Sequence, residues 1–209
     1  MSVSPRERRD YVAKSYRQGR VFIAGDSAHE CSPTGGIGMH TGLEEAVNLG
    51  WKLAAMAEGW GGPALLASYE IERRPIAVRN VGLATRSFNA IAAIPGWREG
   101  TTDWKANPAW LSVPEHIKLH YCYDGSPICV DDGTPPFDID PARFVPSTRP
   151  GTRAPHAWLD GDRSTLDLFG DGYVVLRLGP NPPEVTSLLD AAKAHGVPMR
   201  EIVLADPEV

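Results

Sequence analysis

One run near the start of this 209-residue chain constrains its fold more than any other feature. The apolar segment Val21-Phe22-Ile23-Ala24 stops at Gly25-Asp26, a glycine-rich stretch covers residues 33–42, and an amphipathic segment follows. A short apolar run ended by glycine is typical of a buried strand, and the later segment has helical spacing. The order strand, loop, helix places one carboxylate and several free backbone N–H groups around a single small pocket.

The amphipathic segment predicts a helix that begins near Thr41 and ends at the glycines of residues 59–62. Thr41 and Glu44 fit the Ser/Thr-x-x-Glu capping box. The apolar positions follow i, i+3, i+4, i+7 spacing, so we expect their face to be buried, with Gly50 allowing close packing there. These positions are Leu43, Ala46, Val47, Leu53, Ala54 and Ala57.

Further elements are predicted on both sides of this helix. Residues 1–19 read as a polar lead-in that could be helical. A second helix starts at Pro63 and runs to Arg74, and a third continues to about Ala93, although Pro75 could equally be a kink in one long helix. The loop-rich, proline-rich stretch from residue 97 onward reads as a connection with short strands, such as 119–123.

The last part of the chain alternates between strand and helix patterns. Residues 172–178 and 201–205 are typical of strands, and the amphipathic segment 183–195 lies between them. Its predicted inward positions are Val185, Leu188, Leu189 and Ala192. This order favours a parallel strand pair with a right-handed crossover, so the fold class is α/β, or mixed α+β.

Charge and cysteine content exclude several kinds of partner. A net charge of -5 with a pI near 5.7 argues against a nucleic-acid surface or an anionic-membrane patch. No apolar run approaches the ~20 residues of a membrane span, and the N-terminus has no apolar signal core. Three cysteines without a Cys-x-x-Cys pair indicate free thiols in a reducing compartment. We therefore expect a cytoplasmic protein that binds neither nucleic acid nor membrane.

The first run resembles the second flavin-binding motif of the FAD-dependent aromatic hydroxylases, which are single-component flavoprotein monooxygenases similar to para-hydroxybenzoate hydroxylase. The likeness continues through Asn48-Leu49-Gly50-Trp51-Lys52-Leu53 and through residues 69–75. Segments 121–128, 149–159 and 165–170 are similar to the polyketide and phenol hydroxylase branch of the family. One departure is His40, which stands where the family commonly has Asn.

The resemblance implies FAD as cofactor, NAD(P)H as electron donor, molecular oxygen, and a small aromatic or polyketide-type substrate. The Asp26 carboxylate would accept hydroxyls of the ribityl chain, and the helix N-terminus would face the electron-rich edge of the flavin. The residues expected to bind the cofactor are Gly25, Asp26, Pro33, Gly35, Gly36, Ile37, Gly38, Met39, His40 and Thr41. No catalytic residue and no metal site is assigned.

The resemblance also implies a division into three parts. Residues 1–96 would be the C-terminal part of an FAD-binding domain, 97–150 a connecting segment, and 151–209 a truncated thioredoxin-like domain. The Gly-x-Gly-x-x-Gly fingerprint that opens such enzymes is absent from this sequence, so we expect a fragment.

Several polar residues of the matched segments are predicted to be structural. Asn48, Trp51 and Lys52 are interpreted as packing and helix-anchoring residues, and His156 as a loop histidine with its hydrogen bonds satisfied. Glu70, Glu72, Arg73 and Arg74 are interpreted as a solvated or locally paired face.

Two other functions remain open from the sequence. A non-catalytic remnant or interaction module would not bind flavin independently, and its exposed apolar helices would favour a homo-oligomer or an N-terminal partner chain. A serine esterase of the GDSL type is suggested by Gly25-Asp26-Ser27, but the Asp-x-x-His that this family needs near its C-terminus is missing.

Overall fold

A computed structural model describes residues 8–97, 99–101, 115–135, 143–159 and 161–205. Two long helices that pack against each other dominate the first half: α1 spans Ile37–Glu58 and α2 spans Pro63–Ala92. Four two-residue strands precede them: β1 Tyr11–Val12, β2 Arg17–Gln18, β3 Val21–Phe22 and β4 His29–Glu30. The mixed helix and strand class predicted from the sequence is confirmed.

The four short strands form two antiparallel pairs, β1 with β4 and β2 with β3. The helical lead-in is therefore wrong for residues 8–19, where β1 and β2 lie. The strand predicted at 21–24 is confirmed only for Val21–Phe22, and the predicted burial is wrong for Val21, which is 66% exposed. A two-stranded antiparallel ribbon can leave one face in solvent, which explains this exposure.

Helix α1 begins at Ile37, four residues before the predicted start at Thr41. Its N-cap is Gly36 in the left-handed conformation (φ 62°), which lets the chain enter the helix directly from the turn that starts at Pro33. The predicted capping box does not form. Instead, the Thr41 hydroxyl donates to the Ile37 carbonyl at 2.8 Å, and Glu44 pairs with Arg73.

The face of α1 that packs in the interior is polar, contrary to the prediction. The buried residues are Ile37, Thr41, Glu45, Asn48, Lys52 and Ala55. Leu43 and Val47, predicted to be buried, are 57% and 72% exposed, and Gly50 has no atom within 4 Å of its missing Cβ. The physical reason is that the neighbouring elements supply hydrogen-bonding and charged partners for this polar face, so that its side chains can be buried in pairs.

Helix α2 is a single 30-residue helix with Pro63 in its first turn and Pro75 inside it. The alternative of one continuous helix is therefore the correct one. Both Pro75 and Ile71, one turn earlier, are exposed. Water can therefore meet the Ile71 carbonyl, which Pro75 leaves without its helical N–H donor.

A buried polar network joins α1, α2 and the segment near residue 126. Glu72 accepts hydrogen bonds from Lys52, Asn48 and Ser126. The prediction of a solvated or local face is wrong for Glu72 and Arg73, which are buried in this interface. Glu70 and Arg74 are half-buried, and they bind backbone groups of residues 13–17, which are distant from them in the sequence. The anchoring role predicted for Asn48 and Lys52 is confirmed.

The predicted strand at 119–123 is wrong. A 3₁₀ turn at Glu115–Lys118 precedes an isolated bridge between Cys122 and Thr152. The Arg79 guanidinium of α2 donates to the carbonyls of Ile117 and His120. These carbonyls are bound to a side chain, so they are not engaged in a strand ladder.

The strand–helix–strand prediction for the last part is confirmed. Strand β5 (Tyr173–Leu178) pairs in parallel with β6 (Met199–Leu204), and α3 (Thr186–Ala194) lies between them in the chain. Of the predicted inward positions Ala192 is buried, whereas Leu188 is exposed. A cleft of about 690 Å³ separates this unit from α1, with Trp51, Trp60 and Tyr173 in its wall. The thioredoxin-like assignment and the three-part division stay predictions.

Candidate functional site

The Gly25–Asp26 motif forms a tight 3₁₀ turn over residues 25–27. Gly25 has φ 58°, a conformation that favours glycine, and its carbonyl accepts the Ala28 N–H at 2.8 Å. The Asp26 side chain is exposed, and no group within the described ranges hydrogen-bonds to its carboxylate. The turn therefore presents a free acceptor pair to a ligand.

The turn packs directly on helix α1. A Cβ added at Gly42 would lie 3.2 Å from the Gly25 Cα, a tight contact that the turn could accommodate only by shifting away from the helix. One helical turn later, the Glu45 carboxylate accepts the Gly25 N–H at 2.8 Å. The helix thus fixes the position of the carboxylate-bearing turn beside its own first half.

The glycine-rich loop makes a second turn, closed by a hydrogen bond from the Gly36 N–H to the Pro33 carbonyl at 3.1 Å. Gly35 and Gly36 both have positive φ, which lets the backbone reverse here without strain. The Thr34 hydroxyl donates to the Ala84 carbonyl at 2.9 Å and ties the loop to α2. A fixed loop with few side chains permits close approach of a ligand to the backbone.

The loop leads into a helix N-terminus that no side chain of the described residues caps. The first N–H groups of a helix have no intrahelical acceptor, and the positive end of the helix dipole lies there. No acidic residue occupies the first turn. This end of α1 can donate hydrogen bonds to an electron-rich ligand edge.

Most of the predicted site residues lie around the start of α1, but the side chains of Ile37 and Thr41 are buried away from it. The backbone and side-chain positions of 25–26 and 33–36 border the N-terminal half of α1, and Met39 and His40 lie in its first turn. Ile37 is buried against Ala84 and Ile117, so only its backbone can face a ligand. The Thr41 side chain is also buried, and it accepts a hydrogen bond from Asn80 at 2.8 Å. The structure therefore directs the Thr41 side chain toward α2.

Sequence reasoning missed a buried group behind the turn. Glu45 is fully buried, and His29 Nε2 lies 3.1 Å from the same Glu45 oxygen that accepts the Gly25 N–H. Burial and the Glu45 charge together raise the pKa of Tyr16, which is also fully buried. The sequence signal that could have indicated Glu45 is its position three residues after Gly42, which places both residues on the same face of the helix.

Two potential nucleophiles border the site without being activated. Burial, followed by the charges of Asp10, Asp26 and Glu30, raises the pKa of the Cys31 thiol. Ser27 is exposed and makes no hydrogen bond to a histidine within the described residues. The neighbouring His29 is instead directed to Glu45, so the geometry does not favour the esterase alternative.

The predicted interpretation of His156 is supported by its contacts. Its Nδ1 lies 2.7 Å from the Ser164 hydroxyl, and its ring packs edge-on against Trp158. In the described part of the chain, no helix is both long and apolar enough to cross a membrane.

Comparison with known proteins also points to a flavin-binding family. Residues 1–84 match the family described as FAD binding domain. Tetracenomycin A2 monooxygenase-dioxygenase of Streptomyces glaucescens is 38% identical over 196 residues, which cover 90% of this chain and 32% of that protein. The 4-methyl-5-nitrocatechol 5-monooxygenase of a Burkholderia species is 35% identical over 198 residues, covering 92% of this chain and 35% of that one.

Solved structures show the same similarity. The flavin-dependent monooxygenase PieE, solved in complex with FAD and substrate, superposes with a TM-score of 0.80 at 31% identity. The match covers 96% of this chain and 41% of PieE.

Residues 1–84 thus match an FAD binding domain, and the chain has the fold of part of a flavin-dependent monooxygenase. More specifically, nearly the whole chain is similar to FAD-dependent aromatic monooxygenases, which confirms the resemblance seen in the sequence. The chain spans between 29% and 40% of the length of the curated relatives it matches first.

Proposed function

We propose that this chain is the part of an FAD- and NAD(P)H-dependent aromatic hydroxylase that holds the flavin through its ribityl chain and ring edge. The observation that carries the proposal is the free Asp26 carboxylate, held beside an uncapped helix N-terminus. A carboxylate can accept hydrogen bonds from two vicinal hydroxyls. The free N–H groups at a helix N-terminus can donate hydrogen bonds to the electron-rich edge of a flavin ring.

The residues present fit this cofactor. Asp26 would accept the ribityl hydroxyls, and the backbone N–H groups at the start of α1 would donate to the ring edge. A Cβ added at Gly38 would meet the Cys31 sulfur at 3.3 Å, so glycine allows the start of α1 to pack closely against Cys31. FAD supplies the two-electron redox chemistry and the oxygen activation, and the protein supplies binding and orientation.

His40 adds a side-chain hydrogen-bond donor to the same edge. It lies half-buried in the first turn of α1, three residues after the helix begins. Its imidazole carries at least one ring N–H in either protonation state and a second when protonated. We assign it the task of hydrogen bonding to a flavin carbonyl, in the place where the family commonly has Asn.

The substrate of the proposed enzyme is an aromatic or polyketide-type ring, with molecular oxygen as co-substrate. The names of the tetracenomycin A2 and nitrocatechol monooxygenases support this class. In the proposed division, residues 1–96 contribute to the FAD-binding domain, 97–150 connect, and 151–209 form a thioredoxin-like domain. The β5–α3–β6 order supports the last assignment.

A second candidate function is an interaction module without independent flavin binding. The exposed apolar face of α1, with Leu43 and Val47, favours it because such a face is suited to a second copy or a partner chain.

The test is an FAD titration of the 209-residue chain, followed by flavin fluorescence, with Asp26→Ala and Asp190→Ala beside it. Asp190 is an exposed carboxylate on α3 and serves as the matched control. We expect saturable binding that Asp26→Ala weakens by roughly tenfold or more, since hydrogen bonds to charged groups contribute about 1.5–3 kcal/mol each. Asp190→Ala should bind like the wild type. A folded chain without FAD binding would favour the interaction module.

A further inference from the structure

The buried carboxylate of Glu45 has a specific task in the turn that carries Asp26. Its Oε2 atom accepts the Gly25 N–H at 2.8 Å and lies 3.1 Å from His29 Nε2. The Glu45 side chain is fully buried. A carboxylate without water is costly unless it is paired and hydrogen-bonded, and these two contacts, both to Oε2, offset part of that cost.

The turn is held from several sides, but Glu45 is the side chain that fixes its first peptide. The Ala28 N–H closes the turn on the Gly25 carbonyl, and the Ala13 N–H binds the Ala28 carbonyl, both at 2.8 Å. These bonds fix the end of the turn. The Gly25 N–H, at the start of the turn, points into the interior and donates a hydrogen bond to the Glu45 carboxylate.

The surroundings of Glu45 keep this carboxylate in place. Tyr16 and Tyr69 are fully buried near it, and the Tyr69 hydroxyl donates to the Ile23 carbonyl at 2.9 Å, just before the turn. His29 contacts Glu45 from the strand that follows the turn. Residues on both sides of Asp26 are thus bound into the same buried cluster.

We propose that Glu45 is a positioning residue for flavin binding, which fixes the Gly25–Asp26 turn so that the Asp26 carboxylate meets the ribityl hydroxyls. His29 keeps the Glu45 carboxylate oriented toward Gly25. This inference rests on the function proposed above. Glu45 itself touches no ligand, because it lies behind the turn in the interior.

The functional test is a double-mutant cycle on FAD affinity in the full 209-residue chain. Glu45→Ala should weaken binding by roughly tenfold, since it removes a hydrogen bond to a charged acceptor. Glu45→Gln should stay within about threefold of the wild type, because its amide oxygen can still accept the Gly25 N–H. Asp26→Ala with Glu45→Ala should bind no more weakly than Asp26→Ala alone. Additive losses in the cycle would overturn the proposal.

A second readout does not depend on flavin. Hydrogen exchange of the Gly25 amide, measured by NMR, should be slow in the wild type, in Glu45→Gln and in Asp26→Ala, and fast in Glu45→Ala. Glu45→Asp, which withdraws the carboxylate by one methylene, serves if Glu45→Ala does not fold and should also exchange fast. Unchanged protection in a folded Glu45→Ala or Glu45→Asp chain would overturn the proposal.

The two readouts separate two kinds of failure. A wild-type chain that binds no FAD contradicts the proposed function, while the Gly25 exchange still decides whether Glu45 fixes the turn. A chain that binds FAD but shows additive losses contradicts the positioning role alone. Glu58→Ala, on the exposed end of the same helix, should change neither readout.

Discussion

The Lys52 ammonium and the Glu72 carboxylate lie 2.5 Å apart between α1 and α2, and neither side chain is exposed. Asn48 donates to the same Glu72 oxygen, and Ser126 donates to the other one, each at 2.6 Å. Burial lowers the pKa of Lys52, although the hydrogen bond and charge of Glu72 oppose this. The two long helices are therefore joined through a buried polar cluster, in which the loss of one partner leaves a charge unpaired in the interior.

Removing one member of this cluster should destabilise the chain strongly. We expect Glu72→Ala to lower the free energy of unfolding by about 3–5 kcal/mol, because it leaves the Lys52 ammonium buried without its carboxylate. Urea denaturation followed by circular dichroism measures the loss. Glu58→Ala, at the exposed end of α1, should change the unfolding free energy by less than about 0.5 kcal/mol. A loss below about 1 kcal/mol in Glu72→Ala would show that the pair is not buried as described.

The Glu70 carboxylate should make stability depend on pH. Burial alone would raise its pKa, but hydrogen bonds from Ser15 and from the N–H groups of Tyr16 and Arg17 outweigh it and lower the pKa below 4.5. A lowered folded pKa stabilises the chain above the unfolded value, and that contribution is lost as pH falls through the folded pKa.

Glu70→Gln should therefore reduce the unfolding free energy at pH 7 by about 1 kcal/mol, a modest value because the site is partly solvated. The difference from wild type should shrink as the pH falls below 4.5. Urea titrations of both chains at several pH values measure it. A difference that does not change with pH would contradict the assignment.

Two glycines on the same helix should respond oppositely to alanine. At Gly42 the added Cβ would meet the Gly25 Cα at 3.2 Å, so Gly42→Ala should cost about 1 kcal/mol and also weaken FAD binding. At Gly50 no atom lies within 4 Å, so Gly50→Ala should stabilise the chain by about 0.5–1 kcal/mol through helix propensity. Thermal unfolding and the FAD titration measure both effects. Equal responses at the two positions would contradict the packing of α1 on the turn.

The exposed apolar face of α1 should be dispensable for folding. We expect Leu43→Gln with Val47→Gln to change the unfolding free energy by about 1 kcal/mol or less, because both side chains already face solvent. If copies of the chain associate through this face, the double variant should shift sedimentation velocity toward monomer. Asn48→Ala, on the buried face, should cost about 1–3 kcal/mol instead. A strong loss of stability in the double variant would show that the apolar face is covered in solution.

Local patterns predicted the elements whose signals lie in neighbouring residues. Pro63 marks the start of α2 because proline suits the first helical turn. The apolar runs of β5 and β6, with a helix between them, predicted the parallel pair. The order of Gly25-Asp26 and the glycine-rich loop led to the flavoprotein family through its resemblance to a known flavin-binding motif.

The burial of α1 could not be predicted in this way. Hydrophobic periodicity assigned Leu43 and Val47 to the interior, but the structure buries Glu45, Asn48 and Lys52 instead. A charged side chain is buried only where distant residues neutralise it, and the sequence predicted Glu72 and Arg73 to lie on a solvated or locally paired face. No local pattern reports that these groups pair across two helices.

The sequence by itself thus determined the family resemblance, the presence of the long helices and the order of the Gly25-Asp26 motif and the glycine-rich loop. Only the tertiary structure decided which face of α1 is interior, where that helix begins, and that Glu45 and His29 lie behind the Asp26 turn. The physical reason is that backbone conformation depends mainly on neighbouring residues, whereas the cost of burying a charge depends on partners distant in sequence.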